Sequence, residues 1–210
     1  MVGPAERPVQ RGIFEQALFS EKHAMAFGRR PSKPADPLDE NALYDYAVQA
    51  LGRRMRTVAE LERLMRAKVE AGEAGESKMA AVVARLKEYR YLDDTVFAST
   101  YTRLRQENEG FGKRRVQQEL TRKGVHRDLI DSTLDTAYGS TSEEDLARRY
   151  LARKRIGKPQ NQKEIARVIR RLVTAGFSIS ILSKILKNWE IEFNEEDLAM
   201  PEDPAERREE

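Results

Sequence analysis

Apolar side chains return along this chain at intervals of three and four residues, with charged positions between them. That period is the signature of amphipathic helices. It is clearest over residues 93–124, where Phe97, Tyr101 and Leu104 share one helical face and Asp93 or Asp94 can cap the N-terminus. Gly110-Phe111-Gly112 breaks this helix, because glycine favours turns. A second helix follows, with Val116 and Leu120 inward and Lys113, Arg114 and Arg115 on its first turn. Lys123-Gly124 reads as a cationic last turn with a glycine stop. A third helix, over 129–138, aligns Ile130, Leu134, Ala137 and Tyr138. Three short helices with tight joints make one unit.

The flanks repeat the unit. Upstream, Leu43, Tyr46, Ala47 and Ala50 line a first helix, Thr57 and Glu60 match a capping box ahead of Leu61, Leu64 and Met65, and Met79, Val82, Val83 and Leu86 line a third helix. Residues 70–76, rich in Gly, Glu and Ala, read as the loop before that third helix. Downstream, Thr141 and Glu144 suggest another capping box ahead of Leu146, Ala147 and Tyr150. Asn161 and Glu164 open a helix with Ile165, Val168, Ile169, Leu172 and Val173 inward, and Ser178 caps one carrying Leu182, Ile185, Leu186 and Trp189. Tyr46-Ala47, Phe97-Ala98 and Leu146-Ala147 occupy matching places 51 and 49 residues apart, and Leu64, Leu120 and Leu172 match in the second helices. The expected fold is all-α: an elongated, curved array of three tandem three-helix repeats. The boundaries fall at 39–92, 93–139 and 140–189, after a proline-bearing arm and linker at 1–38 and before an acidic tail at 190–210. Within the arm, only 14–27 has the makings of a short helix.

Composition agrees with a helical body of large surface: 35% of residues are charged and 40% hydrophobic. The absence of cysteine excludes disulfides and thiolate zinc sites. No apolar run approaches the roughly 18 residues of a membrane span, and the first residues lack the apolar core of a signal peptide. A soluble, cytoplasmic monomer is the expectation. The net charge of +3 conceals an asymmetry, since residues 190–210 carry −8 and the rest +11. A basic body with an acidic tail points to a polyanionic partner.

Catalysis finds little support. The two histidines, His23 and His126, do not converge with other ligands, so no metal and no cofactor is expected. Asp93-Asp94 reads more simply as helix capping than as an acid–base pair. Gly110-Phe111-Gly112-Lys113 lacks the spacing and the preceding strand of a phosphate loop. Phe97, Tyr101, Tyr150 and Trp189 lie on apolar stripes, where core packing is the simpler role than base stacking. The basic clusters are more informative. Residues 148–171 hold ten Lys or Arg against one carboxylate, Glu164, and residues 103–127 hold eight against three. Such densities repel unless a polyanion neutralises them, although a solvated helical face has the same composition. The candidate DNA or filament contacts are Lys113, Arg114, Arg115, Arg122, Lys123, Arg148, Arg149, Arg153, Lys154, Arg155, Lys158, Arg167, Arg170 and Arg171.

The set Tyr91-Leu92-Asp93-Asp94, Phe97-Ala98, Gly112-Lys113 with Arg115, Gln118-Glu119-Leu120 and Lys123-Gly124 resembles the RecX family, regulators of the RecA recombinase. The resemblance spans about residues 38–189 and is strongest in the central repeat. It implies a non-enzymatic protein that binds RecA and the RecA–single-stranded DNA filament. Such a protein inhibits filament growth, strand exchange and coprotease activity, with weak direct DNA binding. The rival reading is a helix-turn-helix protein acting directly on duplex DNA, since each three-helix unit could present a recognition helix. A structural adaptor without nucleic-acid contact is a third.

Overall fold

The computed structural model describes residues 36–191. Most of the proline-bearing arm, with the helix considered at 14–27, and the acidic tail beyond Ile191 lie outside the described residues. Among the described residues there are nine α-helices and no strand. They are α1 (Glu40–Arg53), α2 (Val58–Arg66), α3 (Glu73–Glu88), α4 (Asp94–Leu104), α5 (Lys113–Arg122), α6 (Arg127–Tyr138), α7 (Glu143–Arg153), α8 (Gln162–Thr174) and α9 (Ile179–Asn188). The fold is an all-α array of helical repeats. Ala47, Ala98 and Ala147, which the repeat aligns, are all fully buried.

The register of the second helices differs from the leucine alignment. Leu64 is only half-buried, while Met65, Leu120 and Ile169, each the eighth residue of its helix, are enclosed. Burial selects the face that meets the neighbouring helices, and in α2 that face runs through Leu61 and Met65.

Two compact units partition the chain. One runs up to Phe97 and takes in Lys123–Val125; the other holds Ala98–Arg122 and continues from His126. In the first unit, Leu43, Ala47, Leu61, Met65, Met79, Val82 and Leu86 make the core. Thr57 closes the capping box with Glu60: its hydroxyl accepts from the Glu60 N–H at 3.1 Å, and the Glu60 carboxylate accepts from the Thr57 N–H at 3.4 Å. The same buried hydroxyl donates to the Lys123 carbonyl at 2.6 Å. Asp93 caps α4 through the Thr95 and Val96 N–H groups. Asp94 instead reaches the start of α2, where it accepts from the Val58 N–H at 2.9 Å. The expected loop at 70–76 is shorter than its composition suggests. Helix α3 begins at Glu73, and Gly75 is buried so tightly that a Cβ would lie 2.0 Å from the Glu70 carbonyl.

In the second unit, α4 does not stop at Leu104. It loosens into a π-helical turn, Arg105–Glu109, before Gly110 takes a left-handed conformation (φ 72°) and ends it. One carboxylate organises this region. Glu119 Oε2 accepts from the Tyr101 hydroxyl at 2.8 Å and lies 3.1 Å from Arg105 Nε, while its Oε1 lies 2.8 Å from Arg115 Nε. Burial pushes the Tyr101 phenol well above its ordinary range. The Gln106 amide donates to the Ala137 carbonyl, and the Tyr138 hydroxyl donates to the Phe111 carbonyl at 2.8 Å. Helices α7 to α9 pack around Leu146, Leu151, Ile169, Leu172, Leu182 and Leu186, with Tyr150 edge-on to Phe177 at 5.8 Å. The expected capping box at the start of α7 shifts by one residue. Ser142 is the cap and accepts from the Asp145 N–H at 3.3 Å. Glu143 turns away to accept from both the backbone N–H and the hydroxyl of Ser178, at 2.8 and 2.9 Å, and so braces the start of α9.

Candidate nucleic-acid interface

Helix α7 ends in a left-handed cap. The Arg155 N–H donates to the Ala152 carbonyl and the Ile156 N–H to the Leu151 carbonyl, with Arg155 at φ 55°. This is the reversal that glycine usually makes at a helix C-terminus. The chain then turns through Gly157-Lys158-Pro159 to Asn161, which caps α8 by accepting from the Glu164 N–H at 2.9 Å. Turn and helix together enclose a cleft of about 340 Å³ lined by Lys154, Arg155, Ile156, Lys158, Pro159, Glu164, Arg167, Val168 and Arg171.

Five of these residues are cations, and all five are exposed. The single carboxylate is already engaged. Glu164 Oε2 accepts from the Gln160 N–H at 2.7 Å, and Oε1 accepts from the Asn161 amide at 3.1 Å. At the margin, Lys158 lies 3.5 Å from Glu190, with both side chains largely in solvent. A pair so exposed contributes little and is screened by salt. The cleft is therefore a concentration of positive charge with an apolar floor, since Pro159 and Val168 are buried.

The structure brings together Lys154, Arg155, Lys158, Arg167 and Arg171 of the fourteen cations named from the sequence. The others fall elsewhere. Lys123 belongs to the first compact unit, where its ammonium lies 3.1 Å from Glu60 and over the Phe97 ring, with only 19% of the side chain exposed. Arg115 is held by Glu119 and covers the Phe111 ring at 5.3 Å. Lys113 pairs with Asp135 at 2.6 Å. Arg148 pairs with Glu144, and Arg149 donates to the Asp145 carbonyl at 3.3 Å. Arg153 donates to the Asn108 carbonyl and so steadies the π-helical turn. Arg170 is half-buried, and Arg114 and Arg122 are exposed. Tyr150 lies edge-on to Phe177, with Lys154 over its ring at 6.0 Å. Burial raises its phenol above the ordinary range, and the nearby Arg171 and Arg115 act against that rise.

Sequence reading missed the apolar floor and the engagement of Glu164. The first had no local signal, because Ile156 and Pro159 interrupt the helical period. The second was available in the Asn161-to-Glu164 spacing, which marks a capping pair. Among the described residues, no group of His, Cys, Asp and Glu side chains could hold a metal ion, and no helix is long and apolar enough to cross a membrane.

Comparison with known proteins places the chain. Residues 93–134 match the family model for the second three-helix domain of RecX. The regulatory protein RecX of Mycolicibacterium vanbaalenii is 36% identical over 129 residues, which cover 60% of this chain and 68% of that protein. That of Mycolicibacterium smegmatis is 32% identical over 169 residues, covering 78% and 87%. That of Salmonella newport is 31% identical over 156 residues, covering 70% and 91%. Other relatives are longer, and the match takes in 53% of the Oceanobacillus iheyensis protein. In fold, the chain resembles the crystal structure of RecX from Lactobacillus salivarius, with a TM-score of 0.56 at 19% identity over 72% of this chain and 96% of that one. A second crystal structure, of a regulatory protein RecX, gives a TM-score of 0.58 at 20% identity over 83% and 87%. Shared helices, the matched central repeat and relatives aligned over most of their length lead to one conclusion: this chain belongs to the RecX family of regulatory proteins.

Proposed function

We propose that this protein is a cytoplasmic, non-catalytic modulator of the RecA recombinase. It binds RecA and the RecA–single-stranded DNA filament, limits filament growth, and thereby lowers strand exchange and coprotease activity. The observation that carries this reading is the cluster of five exposed cations around one engaged carboxylate, in a chain of this family. Five positive charges held this close repel one another, and a polyanion relieves that cost while releasing its counterions. A protein that docks by charge alone binds naked DNA weakly at physiological salt, so lasting attachment depends on the recombinase as well.

The test is a recombinase ATPase and filament-length assay on single-stranded DNA, with and without the protein. Shorter filaments and falling ATP hydrolysis are expected. Unchanged filaments at saturating protein would remove the proposal. Charge reversal at Arg167 and Arg171 together should weaken filament binding while helicity stays intact. It should also flatten the logarithmic salt dependence by about 0.7 for each strand phosphate that is no longer neutralised.

A further inference from the structure

The cleft in the third repeat has features that a track for a DNA backbone does not need. A track needs spaced cations on an open surface. Here the cations surround a cavity of about 340 Å³ whose floor is Ile156, Pro159 and Val168. That volume falls within the range of small-molecule sites, roughly 300–1,000 Å³, which combine an apolar lining with a few convergent polar groups. Two features shape it, one of the backbone and one of a side chain. Arg155 occupies a left-handed cap (φ 55°) where glycine would be the unstrained choice. The same cap occurs at Arg90 (φ 57°) and Glu190 (φ 59°), so the conformation alone marks no site. At Arg155 it coincides with a cleft wall that holds four further cations. The second feature is Glu164. Its bonds to Gln160 and Asn161 occupy both carboxylate oxygens, so the one anion in the wall serves the helix start.

We propose that this cleft binds a nucleotide. The guanidinium groups of Arg155, Arg167 and Arg171 take the phosphate oxygens, which planar forked donors match in pairs. Lys154 and Lys158 add point charges. The sugar or base rests against Ile156, Pro159 and Val168. Two sources offer this chemistry: a free nucleoside triphosphate, and the phosphorylated end of a DNA strand. The proposal goes beyond filament binding, because it names a ligand that needs no recombinase.

The experiment titrates the full chain with a fluorescent ATP analogue at about 0.15 M salt, a level at which loose surface attraction is largely screened. Saturable binding is expected, displaced by ATP far better than by inorganic phosphate. A strand-end source predicts that a 5′-phosphorylated oligonucleotide displaces the analogue at least tenfold better than its 5′-hydroxyl counterpart. A free-nucleotide source predicts equal displacement by the two. Arg155→Gly and the double variant Arg167→Gln, Arg171→Gln should each weaken binding at least tenfold, with helicity unchanged. Arg155→Gly keeps the left-handed cap, so it separates loss of the side chain from loss of the fold. Arg90→Gly is the control and should bind as the parent does. Absence of saturable binding overturns the proposal, as does parental affinity in both cleft variants. Filament assays on the same variants keep the two readings apart. Loss of nucleotide binding with filament control retained supports the nucleotide site and removes the cleft from the filament contact, whereas parental nucleotide binding with filament control lost overturns the nucleotide site and leaves the filament reading standing.

Discussion

The backbones of Gly112 and Gly176 meet so closely that neither residue has room for a side chain. The Gly112 N–H lies against the end of α8 and donates to the Ala175 carbonyl at 2.8 Å. A Cβ at Gly112 would sit 2.4 Å from the Gly176 carbonyl oxygen, and one at Gly176 would sit 2.3 Å from the Arg115 nitrogen. Gly176 also has φ 90°, which L side chains rarely adopt. This approach joins the turn before α5 to the turn after α8 within the second compact unit.

Gly112→Ala should therefore destabilise the second unit by about 1–3 kcal/mol, the usual cost of overpacking a closed joint. Gly176→Ala should cost at least as much, since strain adds to the clash. The two effects should not add, because either substitution already opens the joint. Thermal melts of the single and double variants read this directly. A parental melting temperature for Gly112→Ala would contradict the geometry.

Glu119 is the second structural pivot, with 11% of its side chain exposed between Arg105 and Arg115. Glu119→Ala leaves two partly buried guanidinium groups and the Tyr101 hydroxyl without their shared acceptor. Breaking a buried ion pair from one side costs about 3–5 kcal/mol. The lower end is expected, since Arg105 and Arg115 retain 27% and 32% exposure. Urea unfolding would measure the loss. It should be accompanied by faster amide exchange across the π-helical turn, which loses its anchor at Arg105.

Asp94 gives a pH prediction. Burial raises its carboxyl above the ordinary value of 3.8, and the hydrogen bond from the Val58 N–H only partly opposes the rise. The folded state therefore holds the proton more tightly than the unfolded chain does. The contribution from this group is present below its unfolded pKa and is lost as pH rises through the folded one. Asp94→Asn keeps an oxygen for Val58 without a charge to desolvate. It should flatten the stability profile in the window just above pH 3.8. Asp94→Ala should instead lower stability by about 1 kcal/mol, as loss of a helix cap does.

Arg155→Gly should leave stability at or slightly above that of the parent. A non-glycine residue in the left-handed region costs about 1–3 kcal/mol, while glycine returns about 0.4–1 kcal/mol of that through the freer unfolded chain. Arg90→Gly should behave in the same way, because Arg90 occupies the same cap after α3. A clear drop in melting temperature for both variants would show that these side chains hold more structure than their exposure suggests.

Much of this fold can be read from spacing alone. The apolar faces of α1, α3 and α6, the Thr57–Glu60 box, the Asn161 cap and the threefold repeat all depend on residues no more than a few positions apart, or on the recurrence of such groups. Helical periodicity and capping act over one turn, so local order specifies them. The same reading misplaced the second-helix register at Leu64. Which of two adjacent apolar residues turns inward depends on what packs opposite, and there Met65 is the one enclosed.

The functional surface lies on the other side of that divide. Net charge and clustering already identified the basic stretch 148–171, but composition carries no direction. Only the packed chain brings Lys123 onto Glu60, sends Asp94 to Val58 and Glu143 to Ser178, and gathers Lys154, Arg155, Lys158, Arg167 and Arg171 around one cleft. The paired residues lie 35 to 63 positions apart in sequence. A charge set by chemistry is fixed along the chain, whereas its neighbours are set by which helices meet, and long-range burial makes that choice.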